Sequence, residues 1–185
     1  PNPKPQTPNP KFQSTILSLL IEIIKSNCMN KVQKRIQKEI EGLQQFGRLE
    51  SNITDGTITT VRTFFVGAPD SPFEDGKYFV EITLGTGYPM SPPEVKLKTP
   101  IYHPNFDGES ICVDILQGEW TPALTLVSVM KSLELLLDQP NPDSPLNSSA
   151  ADAYSNDPDE YRNKNQQLIK ERKEKEANEN EENNE

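Results

Sequence analysis

The 185-residue chain holds one histidine, one tryptophan and two cysteines. A single histidine, His103, excludes a multi-histidine metal site. It leaves room for a Cys–His or Ser–His–Asp hydrolase only if that one residue is the base. Cys28 and Cys112 are too few for a disulfide scaffold. No GxGxxG or GxxxxGKS/T segment occurs, which excludes nucleotide binding in those two modes. Positive charge is short as well: 19 Lys and Arg stand against 28 Asp and Glu, a net charge of −9. Phosphate backbones are bound by clustered cations, so no nucleic-acid partner is expected. Long apolar runs are missing. The longest, 16–24, is nine residues with Ser18 and Glu22 inside it, against the roughly 20 needed to cross a bilayer. No transmembrane segment and no cleavable signal peptide are expected, and a reducing compartment, cytoplasm or nucleus, is the expected location.

What is present divides the chain into three parts. Residues 1–29 form an N-terminal extension, Pro/Asn-rich over 1–11, then with Ile16, Leu19, Leu20, Ile23 and Ile24 at helical spacing. Residues 30–175 form the core domain. Residues 176–185 hold five Glu and no Lys or Arg, an acidic disordered tail. Within the core, 30–46 reads as a helix, with Asn30 as its cap and Val32, Ile36, Ile40 and Leu43 as its stripe. Lys31, Lys34, Arg35 and Lys38 take another face, open to reading as a solvated face or as a docking face. Segments 49–54 and 57–66 flank Asp55-Gly56, a hairpin signal. Segment 77–84 alternates Tyr78, Val80, Ile82 and Leu84 against Phe79, Glu81 and Thr83, and 94–98 alternates Val95 and Leu97 against lysines. Four consecutive strands with short turns predict an antiparallel meander. From 100 to 121 no periodicity holds, and so long a loop in a small domain is usually functional. Segment 124–138 is apolar nearly all round and predicts a buried central helix. Two more helices are predicted, at 148–156 and from Pro158 to about Ala177. The class is α+β.

The chemistry lies in the long loop. Cys112 sits between Ile111 and Val113, so a buried structural thiol is one reading. Its acidic neighbours Asp107, Glu109 and Asp114 oppose negative charge on sulfur, which argues against a protease, phosphatase or peroxide sensor. A thiol that only accepts an activated acyl group and holds it as a thioester tolerates that setting. His103, between Tyr102 and Pro104, fits a turn residue better than a general base, though a cysteine hydrolase using it remains a minor alternative.

Tyr102-His103-Pro104-Asn105, then Cys112-Val113-Asp114-Ile115-Leu116, then Trp120-Thr121-Pro122-Ala123, then Asn141-Pro142-Asp143-Ser144-Pro145-Leu146 together resemble the ubiquitin-conjugating enzymes. Gly67 to Phe73, Gly76 and Tyr88-Pro89-Met90-Ser91-Pro92-Pro93 agree with the same family. The resemblance implies a four-stranded antiparallel meander with an N-terminal helix, a central buried helix and two C-terminal helices. It implies an enzyme that accepts ubiquitin, or a ubiquitin-like modifier, from the activating enzyme as a thioester on Cys112. The modifier then passes to a lysine of a substrate protein, usually with a RING-type ligase. No cofactor is implied, since the partner activating enzyme consumes the ATP. Asn105 would support the loop and the oxyanion, Asp143 and Ser144 would line the gate beside the thiol, and Asp114 would help position the amine. Ser144 stands where many members have Asp, and the step from Asn105 to Cys112 is one residue shorter than usual. Lys31, Lys34 and Arg35 resemble the activating-enzyme face. Met90, Pro122 and Ala123 resemble the ligase patch. His103, Pro104 and Trp120 would be structural. A silent family variant that only binds ubiquitin or a ligase is the alternative. Retention of Cys112, Asn105 and Trp120 together favours the enzyme.

Overall fold

The computed structural model describes residues 31–182. The helical spacing of Ile16, Leu19, Leu20, Ile23 and Ile24 and the cap at Asn30 fall on residues outside those described. The chain divides into two compact units, Pro1–Lys38 and Glu39–Glu185. In the first, the described residues 31–38 are helical, with Lys31 and Lys34 exposed and Arg35 half-buried. The helix, α1, is continuous over 31–45.

In the second unit, α1 buries Ile40 and Leu43. Four strands follow: β1 (Leu49–Asp55), β2 (Ile58–Val66), β3 (Lys77–Leu84) and β4 (Glu94–Leu97). They pair antiparallel in the order β1-β2-β3-β4. The hairpin from β1 to β2 is the predicted one, but its turn falls one residue later than expected, at Gly56-Thr57, where Gly56 supplies the left-handed residue at φ 59°. The alternation read from the sequence in β3 is its alternation of burial: Tyr78, Val80, Ile82 and Leu84 point inward and are closed to solvent, and Val61, Thr63 and Phe65 of β2 are buried on the same pattern.

The stretch 100–121 contains short elements that the sequence did not reveal. These are a two-stranded hairpin, β5 (Phe106–Asp107) with β6 (Ser110–Ile111), and a one-turn helix, α2 (Asp114–Gln117). The central helix α3 (Leu126–Asp138) begins two residues later than its apolar run, because Thr125 caps it: Thr125 Oγ1 accepts from Ser128 N–H at 3.1 Å. Leu126, Val129, Met130, Leu133 and Leu137 of α3 are buried, while Leu135 is 56% exposed. Helix α4 (Ser148–Asn156) is capped by Asn147, whose Oδ1 accepts from Ala150 N–H at 3.0 Å. Helix α5 (Pro158–Glu182) starts with Pro at its first position and runs past the expected Ala177. Among the described residues no helix is long and apolar enough to cross a membrane.

The loop 67–76 joins β2 to β3 and permits no side chain at Gly67, where a Cβ would fall 1.8 Å from the Phe73 carbonyl oxygen. From α5, Arg162 donates to the carbonyls of Ser71 and Asp70 and holds this loop.

Candidate active site

Cys112 follows β6 directly and precedes α2, so its thiol stands between a tight hairpin and a helical turn. Gly108, at φ 54°, supplies the left-handed residue that lets the hairpin close over so few residues. The hairpin is fixed to β4 by Leu97 N–H on Glu109 O (3.0 Å) and by Lys98 Nζ on Glu109 Oε1 (2.8 Å). That exposed ion pair raises the Lys98 pKa and lowers that of Glu109, in each case first through the hydrogen bond between them. Cys112 is half-buried, and its sulfur is a thiol rather than half of a disulfide. Its N–H donates to Asn105 O at 3.0 Å, which ties the thiol's backbone to the His-Pro-Asn segment.

That segment is anchored residue by residue. His103 is closed to solvent. Its Nδ1 faces the Asn105 N–H at 3.0 Å and therefore carries the lone pair, so the proton lies on Nε2, which donates to Leu136 O at 3.1 Å. Burial lowers the His103 pKa to about 4, and the Leu136 and Leu137 carbonyls only partly oppose it. With both ring nitrogens engaged, His103 has no free base for a hydrolase. Pro104 O accepts from Leu146 N–H (2.8 Å) and Asn147 N–H (3.0 Å). Asn105 is 2% exposed. Its Oδ1 accepts from Asn141 N–H at 2.8 Å. Its Nδ2 donates to Asn141 O at 2.8 Å and, at 3.4 Å, to Ser144 O. The side-chain amide thus pairs with Asn141 in both directions, as one strand residue pairs with another.

These contacts bring the 140–147 loop to Cys112 through Asn105. Asp143 and Ser144 on that loop are exposed, as is Asp114. From Val113 and Asp114 a cleft of about 420 Å³ runs between α2 and α3, walled by Leu124, Ser132, Leu135 and Leu136.

A second group of predicted residues lies on two loops. Met90 is 75% exposed, and Pro122 and Ala123 are exposed. Trp120 joins the two loops: its Nε1 donates to Pro89 O at 2.9 Å, and its ring meets Tyr88 at 6.0 Å. Glu39 completes the join and was missed in the sequence. It is 3% exposed. Its carboxylate accepts from Tyr88 Oη (3.1 Å) and from Leu126 N–H (2.8 Å), the latter at the start of α3. The signal was available, since Glu39 lies three residues after Ile36 and four before Leu43, inside the apolar stripe of α1. Asn165 has the same signature on α5, four residues from buried Tyr161 and four from buried Ile169.

The sequence model of the ubiquitin-conjugating enzyme family matches residues 32–169. The chain is 36% identical over 141 residues to ubiquitin-conjugating enzyme E2 1 of Caenorhabditis elegans, covering 74% of this chain and 73% of that protein. A solved ubiquitin-conjugating enzyme E2 domain of Toxoplasma gondii superposes with a TM-score of 0.68 at 29% identity, covering 75% of this chain and 96% of the other. The chain belongs to the ubiquitin-conjugating enzyme family.

Proposed function

We propose that Cys112 takes the C-terminal carboxyl of ubiquitin from a ubiquitin-activating enzyme as a thioester and delivers it to the ε-amine of a substrate lysine. The observation that carries this reading is the setting of the thiol. Cys112 is half-buried, with its main chain held by Asn105 and a cleft opening at the next two residues. In loading, Sγ attacks the carbonyl carbon of the thioester on the activating enzyme. One C–S bond forms, another breaks, and the proton of Cys112 goes to the departing thiolate. In transfer, a neutral amine attacks the same carbon, an oxyanion forms and collapses, and Cys112 leaves as a thiolate that takes up the proton released by the amine.

The carboxylates of Asp114 and Asp143 border the approach and attract the lysine cation, and Ser144 offers it a hydroxyl. Asn105 Nδ2 holds the loop through its 2.8 Å bond. Its 3.4 Å bond to Ser144 O is the weaker one, and that N–H is the donor we assign to the oxyanion. Met90, Pro122 and Ala123 form the surface for a RING-type ligase, while Lys31, Lys34 and Arg35 serve the activating enzyme. A working free thiol needs a reducing compartment, hence cytosol or nucleus.

The test is incubation with ATP, ubiquitin and activating enzyme, followed by a gel without reductant. Wild type and Cys28→Ala should form a reductant-sensitive adduct. Cys112→Ser should form a reductant-resistant one, and Cys112→Ala none. An adduct that survives Cys112→Ala would refute the assignment.

A further inference from the structure

Asn165 is 1% exposed, and its carboxamide is spent entirely on main chain. Oδ1 accepts from Tyr102 N–H at 3.1 Å, and Nδ2 donates to Tyr102 O at 2.8 Å and to Tyr161 O at 3.0 Å. A helix gains nothing in propensity from Asn, and burying an amide is favourable only when every polar atom is bonded. An apolar side chain would fill the same space. What the amide adds is a fixed register for Tyr102, whose N–H and C=O it pairs as a neighbouring strand would. The ring of Tyr102 is held as well. Its hydroxyl donates to Ser149 O at 2.7 Å on α4, and Lys164 Nζ reaches the same oxygen at 3.3 Å.

Tyr102 is the residue before His103. From there the chain passes through the His103 ring and the Asn105 N–H, then from Asn105 O to Cys112 N–H. We infer that Asn165 is a positioning residue for the transfer step: through Tyr102 it sets where Asn105 and the Cys112 main chain stand relative to the 140–147 loop. The inference rests on the thioester reading above.

Loading and transfer differ in what they ask of this register. Loading needs only that Sγ reach a thioester carried by another protein. Transfer needs the loaded carbonyl, the Asn105 amide and the 140–147 loop in mutual alignment, and a displacement of about 1 Å in such an arrangement costs up to about a hundredfold in rate. Asn165→Leu, which keeps the branching and the number of side-chain heavy atoms, should therefore load ubiquitin within about twofold of wild type and discharge it to free lysine, in single turnover, about tenfold more slowly. Ile169→Ala is the control. Ile169 is buried on the same helix, so its truncation loosens α5 while leaving the Tyr102 clamp in place, and discharge should stay at the wild-type rate. In 15N spectra, Asn165→Leu should move the Asn105 and Cys112 amide resonances, and Ile169→Ala should not. If Asn165→Leu does not fold, Asn165→Ser carries the same comparison. Wild-type discharge by a folded Asn165 variant overturns the inference. So does equal slowing by Ile169→Ala, or a loss of loading that matches the loss of discharge. Wild-type protein that takes no adduct on Cys112 would instead overturn the function reading, and the inference with it.

Discussion

Acid should weaken the fold through His103 at a pH where the folded imidazole is still neutral. His103 titrates near 6.5 when unfolded and at about 4 in the fold, because burial disfavours its cation. Between those values the unfolded chain binds a proton that the folded chain refuses. Stability therefore falls as pH drops through 6.5 and levels off below about 4, where both states are protonated. The full difference corresponds to about 3 kcal/mol, of which about 2 kcal/mol is lost between pH 7 and pH 5. Geometry gives the same sign: a proton on Nδ1 would confront the Asn105 N–H at 3.0 Å and break the link toward Cys112. The measurement is urea unfolding, followed by Trp120 fluorescence, of wild type and His103→Gln at pH 7 and pH 5. Carboxylates common to both cancel in the difference. The variant should be the less stable at pH 7, and the gap should narrow by about 2 kcal/mol at pH 5, since glutamine has no proton to bind. A gap that stays constant would mean His103 is free to ionise in the fold, and the anchoring argument would be wrong.

Other perturbations read other parts of the site. Asn105→Ala should lower stability by about 2 kcal/mol by leaving Asn141 N–H and C=O without their partner. It should slow lysine discharge by about a hundredfold while loading stays near wild type, and normal discharge from a folded variant would move the oxyanion donor elsewhere. Glu39→Ala should cost about 2–4 kcal/mol in urea unfolding, because Leu126 N–H and Tyr88 Oη lose a buried acceptor. Glu39→Gln should recover most of that, and equal losses would show that the bridge contributes little. Met90→Arg or Ala123→Asp should leave loading intact and weaken ligase-stimulated discharge by about tenfold or more. Equal loss of loading would assign the patch another task.

The sheet was legible because one of its faces is buried. Tyr78, Val80, Ile82 and Leu84 alternate with half-exposed neighbours, and β3 spans the residues the pattern marked. The hairpin around Gly108 was not legible, since strands of two residues carry no period; Asp107-Gly108 was its only trace. The central helix reads as apolar nearly all round and therefore buried, yet Leu135 is 56% exposed, because a run of leucines does not say which one faces a cleft. Cys112 and the His-Pro-Asn segment stood out by their order along the chain. The pairing of Asn105 with Asn141 did not, because 36 residues separate them and only the folded loop brings them together. Glu39 and Asn165 do not stand out in the sequence because the groups each of them binds are brought to it only by the fold.

Helix α5 has one practical consequence. Its last described tie to the rest of the unit is Lys173 Nζ on Asp75 Oδ2 at 3.5 Å, yet the helix continues to Glu182. Nine residues of helix extend about 14 Å. The closing turn has no basic residue to complement the helix dipole, so it adds little to the stability of the core. A dye, affinity tag or surface tether joined beyond Glu182 would hang from a ready-made spacer, and the protein could be immobilised by it while thioester turnover is followed.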